Sequence, residues 1–185
     1  KGNVALLGAS PAVAAILTDL GIAFTQVELK NLNPKDFPFA VVPPGFDAKG
    51  YGELSAYANA GGRLLILEQK SGPKEVLPGL QSVTSPLPFI DLILTKHPVF
   101  SGLTQANFEL WPANPDGMVI VNSISPFSAN ALAARGPLLS GQNIESAVME
   151  AKIGTGAVFW SQLEACNLWK IDGGASTYLR NTFAY

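Results

Sequence analysis

The chain opens on a short apolar run, Val4 to Leu7, followed by Gly8 and then by Ser10 and Pro11. Ser at an N-cap with Pro at the first helical position starts a helix, so a strand turns into a helix here. Val13, Ile16, Leu17 and Leu20 recur at i, i+3, i+4 and i+7, which lays one apolar stripe against a sheet, and Gly21 stands where a C-terminal cap belongs. Phe24 to Leu29 alternates in part and predicts a second strand. Phe39 to Val42 is wholly apolar and is stopped by Pro43 and Pro44, which predicts a third strand covered on both faces. Tyr51, Leu54, Tyr57 and Ala58 share one helical face, Gly61 and Gly62 end that helix, and Arg63 to Leu67 follows as a fourth strand. Strands alternating with helices at this spacing predict a doubly wound α/β fold with parallel pairing and right-handed crossovers.

Beyond Gln69 the pattern loosens into stretches punctuated by Pro and Gly. Leu80 to Val83 and Met118 to Val121 are strand-like and predict additions at the sheet edge. Ala147 to Lys152 and Ala157 to Leu163 flank Gly154-Thr155-Gly156, the pattern of a hairpin with a Gly-bearing turn. In the tail, Leu179 and Phe183 lie four apart behind Ser176, a candidate N-cap for a closing helix. With no repeat or linker in view, residues 1–185 read as one domain.

Composition adds a constraint on the surface. Hydrophobic residues make up 48% of the chain and charged residues 14%, well below the usual quarter or so. Such a surface is expected to be covered by neighbouring domains or subunits. The net charge of −2 comes without a basic stripe, which argues against nucleic acid as a partner. No apolar run approaches the roughly 20 residues of a membrane span, and no basic region leads into an apolar stretch at the start, so a soluble chain is expected. A first residue of Lys1 rather than Met suggests a module processed or excised from a larger protein, and leaves open a periplasmic or extracellular parent.

The candidate chemistry is sparse. His97 is the only imidazole and any Ser-His or Cys-His mechanism must use it, yet its place before Pro98 with Phe100 and Leu103 nearby suits a structural loop residue. Cys166 is the only thiol. It lacks a nucleophile elbow around it and reads as a packed or half-buried side chain, expected far from His97. Gly8-Ala9-Ser10 sits at a strand-to-helix turn whose backbone N–H groups suit an anion, but without a dinucleotide or Walker fingerprint. Glu68 lies at the carboxyl edge of the fourth strand, where parallel sheets build sites, and it also suits a solvated or capping carboxylate. Gly8, Ser10, Pro44 and Glu68 are therefore the weak candidates for a ligand site at that edge. Trp160 belongs to an apolar strand, which leaves Trp111 and Trp169 as surface candidates for stacking a sugar. One His and one Cys supply no usual zinc set, and no metal or other cofactor is expected. An enzyme would have to work with Glu68, Asp47 or Glu164, and nothing in the sequence brings two of them together.

The segment FAVVPPGFDAKGYGELSAYANAGGRLLILE, with HPVFSGL, GTGAVFWSQLEA and STYLRNTFAY further on, resembles the class I glutamine amidotransferase-like superfamily. It is most similar to the non-catalytic versions found in glycoside hydrolases, such as beta-galactosidase trimerisation domains, and to ThuA-like proteins. The resemblance covers most of the chain. It implies a flavodoxin-like three-layer sandwich with a mainly parallel sheet, strand order near 2-1-3-4, and an added C-terminal hairpin. Active members carry a nucleophilic Cys on an elbow after a central strand, where RLLIL is followed here by Glu68, Gln69 and Lys70, and the family's C-terminal His-Glu pair has no counterpart. The resemblance therefore implies an assembly module with no catalytic residue, and a small-molecule or carbohydrate-binding domain is the alternative.

Overall fold

A computed structural model describes residues 4–46, 51–72, 75–111, 117–134 and 144–185. The described residues form a ten-stranded sheet and three α-helices: β1 (Val4–Leu7), α1 (Pro11–Asp19), β2 (Phe24–Val27), β3 (Phe39–Val42), α2 (Tyr51–Asn59), β4 (Arg63–Ile66), β5 (Gln81–Leu87), β6 (Asp91–Leu92), β7 (Ile120–Ser125), β8 (Ala131–Ala134), β9 (Ser146–Ile153), β10 (Gly156–Ser161) and α3 (Gly173–Ala184). The α/β class follows the sequence pattern. One half of the sheet is parallel, in the order β2-β1-β3-β4-β10.

Alternating side chains sort that half into two cores. Leu6, Val41, Leu65 and Phe159 face α1 and α3, where Val13, Ile16, Leu17, Tyr178 and Leu179 are buried. Ala5, Leu7, Val42, Ile66 and Trp160 face α2, which contributes Tyr51, Leu54, Tyr57 and Ala58. The all-apolar run of β3 is thereby explained, since it lies between β1 and β4 with a helix layer on either face. Ser10 does cap α1, its hydroxyl accepting from Val13 N at 3.4 Å.

The other half is antiparallel, which corrects the expectation of a mainly parallel sheet. β9 pairs with β10 along one edge, while its other edge forks into β8 and, at Ser146, β7. β7 carries β5, and β8 carries β6. The Met118 to Val121 region is thus no edge addition, because β7 lies between β9 and β5. Its companion expectation fares better: β5 ends the sheet on that side.

β9 and β10 meet around Gly154 and Thr155. β10 is no appendage, since Ala157 to Trp160 pair in parallel with Arg63 to Ile66 and make it the fifth strand of the parallel half. Close approach to α2 requires glycine at the start of β10. A Cβ on Gly156 would lie 2.2 Å from the Gly62 carbonyl oxygen and 2.3 Å from that of Ala58.

One strand boundary and one helix boundary also move. β2 ends at Val27, and Leu29 belongs to a turn of 3-10 helix. The closing helix starts earlier than Ser176 suggests: Asp172 is its N-cap, accepting from Ala175 N at 2.8 Å, while the Ser176 hydroxyl accepts from Lys170 N at 2.9 Å. Asp caps at least as well as Ser, and Gly173 and Gly174 hid the first turn from a reading that sought apolar periodicity.

Candidate functional site

The carboxyl ends of β4 and β10 lie side by side because the two strands run parallel in register, Ile66 opposite Trp160. Each strand continues through a Leu-Glu step, Leu67-Glu68 and Leu163-Glu164. Parallel pairing carries the two carboxyl groups to the same edge, close enough for the charge of Glu68 to act on Glu164. Both residues are half-buried. Burial, then the charge of Glu68, push the Glu164 carboxyl up to about 8, against the opposing pull of Lys70. Glu164 therefore holds its proton more tightly than a free carboxyl does.

Beneath the pair the edge is tied together by side-chain amides. Gln162, fully buried, accepts from Gln69 N at 2.7 Å and donates to Gln69 O at 3.0 Å and to Ser82 Oγ at 2.8 Å. The Gln69 amide donates to the carbonyls of Pro43 and Leu67, both at 2.8 Å, and accepts from the Tyr51 hydroxyl. This network joins the ends of β3, β4 and β10 to β5 and fills the space beneath them with satisfied polar groups.

The sequence candidates fall around this edge. Pro44 and Glu68 are neighbours, since Gly45 N donates to the Glu68 carbonyl at 3.0 Å. Gly8, with φ of 65°, lies under the Phe46 ring, at 3.6 Å from where a Cβ would stand. The Ser10 hydroxyl is engaged as the cap of α1. Asp47 lies outside the described residues. Glu164 stands beside Glu68 only because β4 and β10 pair, a long-range contact that neither segment encodes locally. The repeated Leu-Glu step after an apolar strand was the available signal.

Cys166 is buried behind the pair. Burial, then the charges of Glu68 and Glu164, raise its thiol to about 12, the reverse of what a nucleophile needs. His97 has other partners: its Nδ1 accepts from Val99 N at 3.4 Å, its Nε2 lies 3.5 Å from a Glu150 carboxylate oxygen, and its ring packs edge-on against Tyr185. Tyr185 donates to the same Glu150 oxygen at 2.9 Å. A His-Glu contact thus exists, with Glu150 in the middle of β9, opposite Phe159.

Trp111 is no surface platform. It is 1% exposed, its indole donates to Asn107 O at 2.9 Å, and it packs with Phe108. Trp160 is buried as its strand required. Trp169 alone is partly exposed. Among the described residues no three His, Cys, Asp or Glu side chains gather as metal ligands, and no helix is long and apolar enough to cross a membrane.

No family model and no curated protein sequence matches the chain. Solved structures do. The chain is similar to a ThuA-like protein from Bacteroides uniformis at TM-score 0.63 and 11% identity, covering 98% of this chain and 89% of that one. It is similar to beta-galactosidase from Rahnella sp. R3 at TM-score 0.59 and 14% identity, with 100% and 31% covered. The exo-beta-1,4-mannosidase Op5Man5 from an Opitutaceae bacterium gives TM-score 0.57 and 12% identity, with 98% and 35% covered. The chain spans about a third of the length of these two glycosidases. At such identities the likeness is one of fold.

Proposed function

We propose that this domain is a non-catalytic structural module of a carbohydrate-active enzyme such as a glycoside hydrolase, holding neighbouring domains or subunits in place. Its parallel half is read as the flavodoxin-like core of a glutamine amidotransferase-like domain. The observation that carries the proposal is the carboxyl edge of β4 and β10, where the Gln69–Gln162–Ser82 network ties the strand ends together and Glu68 stands where the resemblance would place a nucleophile. The only thiol nearby is held protonated. Glycosidases and a ThuA-like protein among the structural neighbours support the context. Exposed Leu94, which follows β6, and Phe127, which leads into β8, place apolar side chains beside the short outer strands of the antiparallel half, a suitable place for a neighbour to pack.

The test is deletion. Removing this domain from the protein that carries it should change subunit mass by light scattering, or domain cohesion by limited proteolysis, while Cys166→Ala and Glu68→Gln leave turnover of a chromogenic glycoside intact. A deletion with no effect on mass or cohesion, or a loss of turnover in either point variant with the fold retained, refutes the assembly reading.

One observation favours a second reading. Two half-buried carboxyl groups, Glu68 and Glu164, stand together at that edge, and Glu164 is pushed towards its protonated form, so the pair offers hydrogen-bond partners to the hydroxyls of a small polar ligand. Saturation-transfer NMR with neutral mono- and disaccharides, lost in Glu164→Ala, is its signature.

A further inference from the structure

A second concave region lies between α1 and the end of α3, away from the carboxyl edge. Asp19, Ile22, Trp169, Lys170, Arg180 and Phe183 help to line a hollow of about 550 Å³. Ile22 and Phe183 also line an adjoining hollow of about 290 Å³ that extends to Phe39, Arg63 and Tyr185. The combined groove has the dimensions of a small-molecule site and presents both apolar and charged walls.

The Trp169 ring is pre-positioned. One part packs on the core formed with α1 and α3, and its indole N–H donates to an Asp19 carboxylate oxygen at 2.7 Å. Lys170 Nζ holds the same oxygen at 2.7 Å. Lys170 adopts a left-handed backbone conformation, φ 64°, uncommon for a residue with a side chain and secured by the Ser176 hydroxyl. Arg180 is exposed, and none of the described carboxylates pairs with it. The hollow therefore combines a fixed aromatic face, a cation without a counter-charge, and a carboxylate whose own charge Lys170 balances.

We infer that this groove binds an acidic glycan: Trp169 stacks on a pyranose ring, Asp19 accepts from sugar hydroxyls, and Arg180 pairs with a uronate carboxylate. Arg suits that last task because its planar donors match a carboxylate in two bonds. The Asp19 carboxylate beside the aromatic face disfavours a polyphosphate in the same place and favours a ligand rich in donor hydroxyls. The inference is independent of the assembly reading and of the carboxyl-edge site, which lie elsewhere on the domain.

The test uses tryptophan emission from the full chain. Trp111 and Trp160 are 1% and 0% exposed, so a ligand that changes emission reports on Trp169. Trigalacturonic acid is expected to change emission saturably, with affinity that weakens as salt rises. Its carboxyl-reduced, neutral counterpart should bind at least about tenfold more weakly, as one lost charge-assisted contact implies. Arg180→Gln, at an exposed position, should impose a similar loss on trigalacturonate and leave Tm unchanged. Trp169→Phe should remove the emission change while calorimetry still detects weaker binding. The inference is overturned by absence of any trigalacturonate signal up to millimolar concentration in both emission and calorimetry. Equal affinity for the neutral trisaccharide or for ATP overturns it too, as does a correctly folded Arg180→Gln that binds as well as the parent.

Discussion

The two halves of the sheet are held by different means. In the parallel half, β1, β3, β4 and β10 are packed between helices, and nearly every side chain on them is buried hydrocarbon. In the antiparallel half, β5 alternates between half-buried and exposed positions, and β6 is two residues long. Hydrophobic burial fixes the first. In the second, β7, β8 and β9 are also largely buried, but the outer strands β5 and β6 depend more on hydrogen bonding to their neighbours, above all at the seam where Gln162 reaches from the end of β10 to Ser82 on β5. The comparison teaches that the carboxyl end of a parallel sheet can be tied from the side by a strand outside the parallel core, here β5 through Ser82.

Core truncation should separate the halves most strongly. Leu65→Ala, at a buried position in the centre of β4, is expected to cost about 2 to 5 kcal/mol. Val83→Ala on β5, half-buried at the sheet edge, should cost under about 1 kcal/mol. Urea denaturation of both variants makes the comparison, and equal losses would erase it.

The seam comes next. Gln162→Ala leaves the Gln69 N–H without its partner and removes both amide donations, so a loss of about 1 to 3 kcal/mol is expected. Hydrogen exchange should then quicken on β5 before it quickens on β3. If protection falls equally on both, the network does not act as a seam.

The remaining expectation is a slope with pH. Glu164 holds its proton more tightly in the folded chain, about 8 against an ordinary 4.5. Folding therefore takes up protons between those values, and stability from this group is full below about pH 4.5 and declines as pH rises through 8. Thermal melts from pH 5 to 8.5 should show that decline, and Glu164→Gln should flatten it. An unchanged slope in the variant would assign the decline to another group.

The parallel half was legible because it repeats one arrangement: apolar strand, capped helix, glycine, strand. Ser10 with Pro11 and the stripe from Val13 to Leu17 define the first such unit, while the order in which β1 to β4 pair, 2-1-3-4, was implied by the family resemblance and not by any local pattern. The antiparallel half was not, because its determinants are long-range. Ala131 to Ala134 forms β8, yet four residues of such low β propensity carry no strand signal. They extend because β9 offers a free edge. The acidic pair was hidden for the same reason. Glu68 could be placed at a carboxyl edge from its own segment, whereas Glu164 reaches it only through the β4–β10 pairing, which no local pattern encodes.

That pairing also orders events during synthesis. β4 is made early, but the strand that covers its outer edge, from Ala157 to Trp160 opposite Arg63 to Ile66, leaves the ribosome only after the whole antiparallel half. Until then the nascent chain presents Leu64, Leu65 and Ile66 with unpaired backbone groups, a template open to any other strand. The final hairpin is what ends that exposure.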